Sequence, residues 1–263
     1  MILPHQLLSQ FWAVALWSGL VAVSAAADGD RDYEKQGKRP AHLQPPPSPA
    51  LPPEEAIKTL EVAPGFRVEL VVSEPLIEDP VAMEFDTQGR LWVVEMRGFM
   101  QDIEATGQFD PVGRVSVCLD DDEDGVMDRS IVFADRLVLP RAIRILSDGV
   151  LIAEHEKLWF MRDRDGDLVA DEKTVVDPEY ATSGSVEHRP NRLLRGIDNW
   201  IYNAKSEKRY RRDGDSWIIG KTELRGQWGI CQDNFGRLYY NFNWSQLHAD
   251  FAPPNTLSRN PFF

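Results

Sequence analysis

Hydrophobic and polar residues alternate in short runs along most of this chain, with turn residues between the runs. Phe66-Arg67-Val68-Glu69-Leu70-Val71-Val72 alternates with a period of two, which predicts a strand with one face toward a core. Just before it, Glu54-Glu55-Ala56-Ile57-Lys58-Thr59-Leu60 predicts a short helix. Pro53 suits its first turn, the two glutamates complement the positive end of the helix dipole, and Pro64-Gly65 closes it. A unit of strand, tight turn and strand then recurs. Phe85-Asp86-Thr87-Gln88-Gly89-Arg90-Leu91-Trp92-Val93-Val94 is the first copy, and Leu146-Ser147-Asp148-Gly149-Val150-Leu151-Ile152-Ala153 is the second. Gly196-Ile197-Asp198-Asn199-Trp200-Ile201-Tyr202 follows with Asn in place of Gly, then Gln232-Asp233-Asn234-Phe235-Gly236-Arg237-Leu238-Tyr239-Tyr240. Gly and Asn supply the positive φ that such turns require. The copies lie at irregular intervals of roughly 40 to 60 residues, which predicts an all-β chain folded as a β-propeller. The body from Leu60 onward accommodates about four blades at roughly 45 residues each, an incomplete ring. The chain therefore reads as the N-terminal part of a longer protein, with residues 54–263 as a partial propeller. The open sheet faces of such a ring would expose apolar surface and favour association.

A second repeat carries chemistry. Asp120-Asp121-Asp122-Glu123-Asp124-Gly125-Val126-Met127-Asp128 and Asp163-Arg164-Asp165-Gly166-Asp167-Leu168-Val169-Ala170-Asp171 both place carboxylates at positions 1, 3, 5 and 9. They lie about one blade length apart, each between two apolar runs, so both read as hairpin loops within blades. Alternate carboxylates on a tight loop suit a hard cation such as Ca²⁺, which takes six to eight oxygens at about 2.3–2.6 Å. The expected ligands are Asp120, Asp122, Asp124 and Asp128 with the Val126 carbonyl, and Asp163, Asp165, Asp167 and Asp171 with the Val169 carbonyl. Leu168, standing where the first loop has Gly125, makes the second loop the weaker match. A solvated acidic turn is the alternative for each. Calcium held within one loop is structural, because little coordination space is left for a substrate.

The first 27 residues read as an export signal, with an apolar middle from Phe11 to Val23 and Ser24-Ala25-Ala26-Ala27 as the cleavage region. The alternative is an uncleaved anchor, which would be the chain's only route to a membrane. Residues 28–53 form a linker stiffened by Pro45-Pro46-Pro47-Ser48-Pro49 and Pro52-Pro53. The expected location is periplasmic or extracellular. The 263 residues carry a formal net charge of −13, which repels phosphate and excludes nucleic acid as a partner. Two cysteines, Cys118 and Cys231, exclude a disulfide framework and a four-cysteine zinc site, and leave one bridge open.

His188, in Glu187-His188-Arg189-Pro190-Asn191-Arg192-Leu193, stands on a loop leading into the third turn unit. In a propeller such loops can line the mouth of the central channel. A neutral imidazole there can accept a proton from a hydroxyl near neutral pH; a histidine hydrogen-bonded inside a blade is the alternative. Arg225, in Arg225-Gly226-Gln227-Trp228-Gly229, holds the corresponding place before the fourth unit. It could hold an anionic group or stabilise developing negative charge, or it could form an ordinary ion pair. The chain has no nucleophile elbow, P-loop, GxGxxG or HExxH motif.

Residues 64–76, Asp79-Pro80-Val81-Ala82 and residues 89–98 resemble the start of a membrane-bound dehydrogenase family whose members often carry a PVC-type haem-binding domain further along. The two Asp-rich loops, Asp198-Asn199-Trp200-Ile201-Tyr202 and the stretch from Arg225 to Asn241 fit it as well, so the resemblance spans roughly residues 53 to 263. That family is similar in turn to soluble quinoprotein sugar dehydrogenases and sorbosone dehydrogenases, six-bladed propellers that hold pyrroloquinoline quinone (PQQ) with calcium. The resemblance implies oxidation of a sugar or another alcohol or aldehyde. It makes His188 the base, Arg225 the group that stabilises the reduced quinone, and Arg192 and Gln227 cofactor contacts. It also implies a cytochrome c-type acceptor, with haem c confined to a C-terminal domain; no Cys-x-x-Cys-His attachment site occurs in this chain. Lys205-Ser206-Glu207-Lys208 stands where the soluble quinoproteins tend to have a Gly-rich turn. Two other classes stay open. One is a calcium-stabilised propeller that binds a glycan or a protein. The other is a calcium-dependent lactonase, which needs its metal at the channel centre.

Overall fold

Period-two alternation and tight turns build four antiparallel sheets, seen in a computed structural model that describes residues 49–182, 184–260 and 262. The export signal and most of the linker lie outside the described residues. The first sheet runs β1 (Pro80–Phe85), β2 (Leu91–Glu95), β3 (Gly113–Leu119) and β4 (Arg129–Leu137). The second runs β5 (Ala142–Leu146), β6 (Gly149–Ala153), β7 (Leu158–Arg162) and β8 (Glu172–Asp177). The third runs β9 (Asn191–Arg195), β10 (Ile201–Ala204), β11 (Lys208–Asp213) and β12 (Ser216–Lys221). The fourth has three strands among the described residues, β13 (Ile230–Gln232), β14 (Leu238–Phe242) and β15 (Ser245–Ala249). Every sheet is a meander in chain order, and the first strands are neighbours: β1 beside β5, β5 beside β9, β9 beside β13. Meanders joined along their innermost strands are the blades of a β-propeller.

All four turn units link the first and second strands of a blade. Asp86 shows how the sequence sets them. Its carboxylate accepts from the backbone N–H of Gln88 and Arg90, closing the turn, and from Trp92 Nε1 on the next strand. Asp233 repeats this with Phe235 N, Arg237 N and Tyr239 Oη, and Asp198 with Trp200 N and Tyr202 Oη. In the third turn Asn199 takes the left-handed conformation, φ 63°, that glycine fills at Gly89 and Gly236.

Alternation serves two faces because each inner blade is packed on both sides. Val150 and Ile152 of β6 join Trp92, Val94, Val115, Val117 and Phe133 between the first and second blades. Leu151 and Ala153, one residue out of phase, join Phe160, Leu193, Ile201 and Tyr210 between the second and third. Leu194, Tyr202, Ala204, Ile230 and Leu238 fill the gap between the third and fourth. Each fully buried aliphatic or aromatic side chain contributes about 1.5–3 kcal/mol over leaving it in water.

The short helix forms at Pro53–Lys58 with Pro at its start and Glu54 and Glu55 in the first turn. The strand expected at 66–72 does not form. That segment is extended, packs Val71 and Val72 against Ile77, Leu91, Val93, Cys118 and Met127, and accepts one backbone hydrogen bond, from Met127 N to Val71 O. One repeat later Ala170 N donates to Phe133 O in β4. Residues 66–72 thus stand to the first blade as β4 stands to the second, in the place of an outer strand. Among the described residues no strand pairs with them, so no ladder forms. Cys118, in β3, is buried and Cys231, in β13, is exposed, and both are free thiols. Among the described residues no helix is long and apolar enough to cross a membrane.

Candidate functional site at the channel mouth

The segments that lead into the innermost strands converge at one end of the channel. Val81 lies near the start of β1, Arg141 precedes β5, Val186–His188 lead into β9, which Asn191 opens, and Gln227 and Trp228 precede β13. They line two adjoining clefts of about 400 and 320 Å³ that share Val81, Arg141 and Trp228. The smaller holds His188, Glu187 and Gln227; the larger holds Arg192, Asn191, Cys231 and Tyr240.

His188 closes a single 3-10 turn in which its N–H donates to Ser185 O at 3.0 Å. Its ring is half-buried and makes no hydrogen bond among the described residues, so it is not a histidine satisfied inside a blade. Gln227 is 8% exposed, and its side-chain amide is likewise without a hydrogen bond among the described residues. Asn191 places both segments. Its Nδ2 donates to Arg189 O and to Gln227 O, at 3.1 and 2.9 Å, and its Oδ1 accepts from Gly229 N at 2.9 Å. Gly226 supplies the turn before Gln227. Its φ is 62°, and a Cβ there would lie 3.1 Å from Tyr240 Cβ and 3.2 Å from Gly229 O. Arg192 is exposed and faces the larger cleft, with its own φ at 54°.

Arg225 lies elsewhere. It is 3% exposed, lines neither cleft, and has its donors committed. Nε donates to Asp250 at 2.9 Å, Nη1 to Thr222 Oγ1 and Glu223 O, and Nη2 to Glu223 at 2.8 Å. Burial opposes the charge, but the hydrogen bonds and charges of Asp250 and Glu223 outweigh it and hold the guanidinium pKa above its ordinary value. The ion-pair alternative describes this residue, and the role implied for it toward a quinone has no free donor to act through.

The buried cation that lines both clefts is Arg141, which no motif announced. It is 1% exposed, and no ion pair to it occurs among the described residues. Nη2 reaches two carbonyls, His155 O at 3.1 Å and Leu139 O at 3.4 Å, while the buried Nε and Nη1 have no partner among the described residues. Burial pushes its pKa down to about 10, which leaves it charged near neutral pH. One signal in the sequence could have found it. Leu139-Pro140-Arg141 precedes a turn unit, as Asp79-Pro80-Val81 and Glu187-His188-Arg189-Pro190 do.

The Asp-rich loops are the hairpins β3–β4 and β7–β8, away from these clefts. In the first, carboxylate oxygens of Asp120, Asp122 and Asp124 lie within 4.8 Å of one another; in the second, those of Asp163, Asp165 and Asp171 do. Asp128 and Asp167 fall outside these groups. Asp128 Oδ2 accepts from Asp121 N, and Asp167 Oδ1 accepts from Val169 N. Val126 N donates to Asp124 Oδ1 in the same way. The loops share one backbone: Glu123 and Gly166 at position 4, and Gly125 and Leu168 at position 6, all have left-handed φ. Leu168 therefore does not change the loop's course.

Fold and site together define a β-propeller with an open cleft at its channel mouth, largely apolar with a few polar groups. By sequence the chain belongs to the family described as a domain of unknown function (DUF7133), which matches residues 52–263. No curated protein matches the chain. Its fold is similar to that of the PQQ domain of pyranose dehydrogenase from Coprinopsis cinerea in its holo form. The TM-score is 0.49 and the identity 14%, over 72% of this chain and 51% of that one. It is also similar to a carbohydrate-active enzyme of family AA12 from Trichoderma reesei, with a TM-score of 0.39 and 15% identity over 54% and 33% of the two chains. A luciferin-regenerating enzyme gives 0.39 and 11% over 60% and 52%. The chain thus spans about half the length, or less, of these proteins.

Proposed function

We propose that this chain forms part of an exported quinoprotein-type dehydrogenase that oxidises a sugar or another alcohol. The observation that carries the reading is the meeting of two unengaged polar side chains, His188 and Gln227, in one cleft at the channel mouth. The sequence resemblance to membrane-bound dehydrogenases supports the choice of reaction.

The residues fit a planar, polar quinone. The Gln227 amide and Arg192 offer hydrogen bonds, the half-exposed Trp228 indole offers a flat apolar surface, and the buried Arg141 suits an acid group. Such a quinone supplies a two-electron acceptor. His188 takes the proton of the substrate hydroxyl on its unpaired ring nitrogen as the carbon–hydrogen bond gives up its electron pair, leaving a carbonyl product. Arg141, not Arg225, is placed to stabilise negative charge there. Calcium in the two outer loops has a structural part, holding the β3–β4 and β7–β8 hairpins. Among the described residues, groups of three or more carboxylate, histidine or cysteine ligands occur only in those outer loops, which disfavours a lactonase metal at the channel centre.

The test is His188→Ala, assayed for PQQ-dependent oxidation of sugars by a dye acceptor. Turnover should fall by about 10²- to 10⁴-fold, with PQQ binding and the melting temperature unchanged. Turnover at the wild-type rate would overturn the reading.

A further inference from the structure

A buried charge without a counter-charge is among the costliest features a fold can hold, and native proteins pair such charges or neutralise them. Arg141 comes close to being an exception here: among the described residues no carboxylate contacts it, and Glu154 attracts it only from a distance. Its surroundings make the deficit larger. Arg189, 8% exposed, approaches the same carbonyl: its Nη1 donates to His155 O at 3.1 Å and to His155 Nδ1 at 2.6 Å. Because His155 Nδ1 accepts from an arginine, the ring carries no proton there, and burial with the charge of Arg189 pushes its pKa down. The acids nearby are engaged or outlying. Glu154 accepts from Val138 N and Trp159 Nε1 and pairs with Lys173. Glu156 is half-exposed and pairs with His155 Nε2 at 3.7 Å. Tyr180 donates its hydroxyl to Asn203 Oδ1. Two buried guanidiniums thus share one carbonyl, and the one that lines both clefts has two N–H groups unused.

From this we infer that the ligand of the channel mouth carries a carboxylate, and that Arg141 is the residue that binds it. The inference deepens the reading above by fixing the ligand's charge. It needs neither His188 nor any redox step. The acid can belong to the quinone cofactor or to an acidic sugar, and both present the same chemistry to Arg141.

The full chain, wild type and Arg141→Met, is titrated calorimetrically with PQQ, with glucuronate and with glucose, and the melting temperature of each free protein is recorded. Wild type should bind at least one of the two acids. Arg141→Met should weaken that acid on the order of a hundredfold, leave glucose unchanged, and melt no lower than wild type. Which acid responds identifies the source of the carboxylate. A guanidinium with only a structural role would give a lower melting temperature and unchanged acid binding, and that pair of results overturns the inference. So does failure of wild type to bind either acid. Should Arg141→Met fail to fold, Arg141→Lys keeps the charge and should retain the preference for acid over neutral sugar; loss of that preference counts against the inference. Arg141-dependent acid binding in a wild-type protein with no turnover would sustain this inference while removing the dehydrogenase reading.

Discussion

Two arginines stand before inner strands of the second and fourth blades, and they are opposites. Arg141 and Arg225 both precede an inner strand and both are almost fully buried. Arg225 is ringed by Asp250, Glu223 and Thr222, so its charge is spent within the protein. Arg141 faces carbonyls and a cleft. Burial alone therefore does not separate a structural arginine from a binding one; the inventory of counter-charges does. The sharpest break of this comparison is Arg225→Met. It leaves the largely buried Asp250 without its partner and should cost up to about 3–5 kcal/mol of stability in denaturant unfolding. Arg141→Met removes a buried charge that no carboxylate contacts among the described residues, and its free protein should be no less stable than wild type. If both variants lose stability to the same extent, the distinction fails.

The outer loops widen the contrast, because their unpaired charge is negative and exposed. Asp120, Asp122 and Asp124 crowd their oxygens within 4.8 Å. Calcium at about a hundred times its Kd should stabilise the protein by about 2.7 kcal/mol per bound site, read as a rise in melting temperature that a chelator reverses. Asp122→Asn should reduce the rise, as should Asp165→Asn in the second loop. No response to calcium would make both loops solvated turns. None of these loop changes should alter acid binding at Arg141.

The repeat was legible because it is written in local chemistry. Asp86, Asp198 and Asp233 each fix a turn within a few residues, so the sequence shows the turn and the strands beside it. The Asp-rich hairpins were legible for the same reason. His188 was found by its place before a turn unit and Gln227 by the family resemblance, and they do share a cleft. Arg225 shared that logic, but its partner Asp250 lies three strands further on, just past β15, and no local pattern shows the pairing. Arg141 was missed for the complementary reason. Its distinguishing feature is a missing partner, which exists only once the blades have met. The segment 66–72 alternates like a strand and occupies the place of one; a strand also needs a neighbour, and its own pattern cannot report whether one is present.

The smallest effect separates the two arginines by pH. Burial raises the Glu223 pKa, but the hydrogen bond from its own backbone N–H, the hydrogen bond and charge of Arg225 and the Asn255 N–H together outweigh it and hold the carboxyl below its ordinary value. A carboxyl with a depressed folded pKa adds stability above its unfolded value, near about 4.3, and the gain disappears as pH falls through the folded value. Protonating Glu223 removes part of the counter-charge of Arg225. Stability should therefore drop between about pH 5 and pH 3, and this part of the drop should be smaller in Arg225→Met, whose Glu223 keeps its backbone hydrogen bonds but has lost the guanidinium. In Arg141→Met the slope should match wild type, because no carboxylate pairs with Arg141 among the described residues. An Arg141→Met protein with a flattened acid slope would mean that a carboxylate does pair with Arg141 in solution, and the two arginines would then be alike.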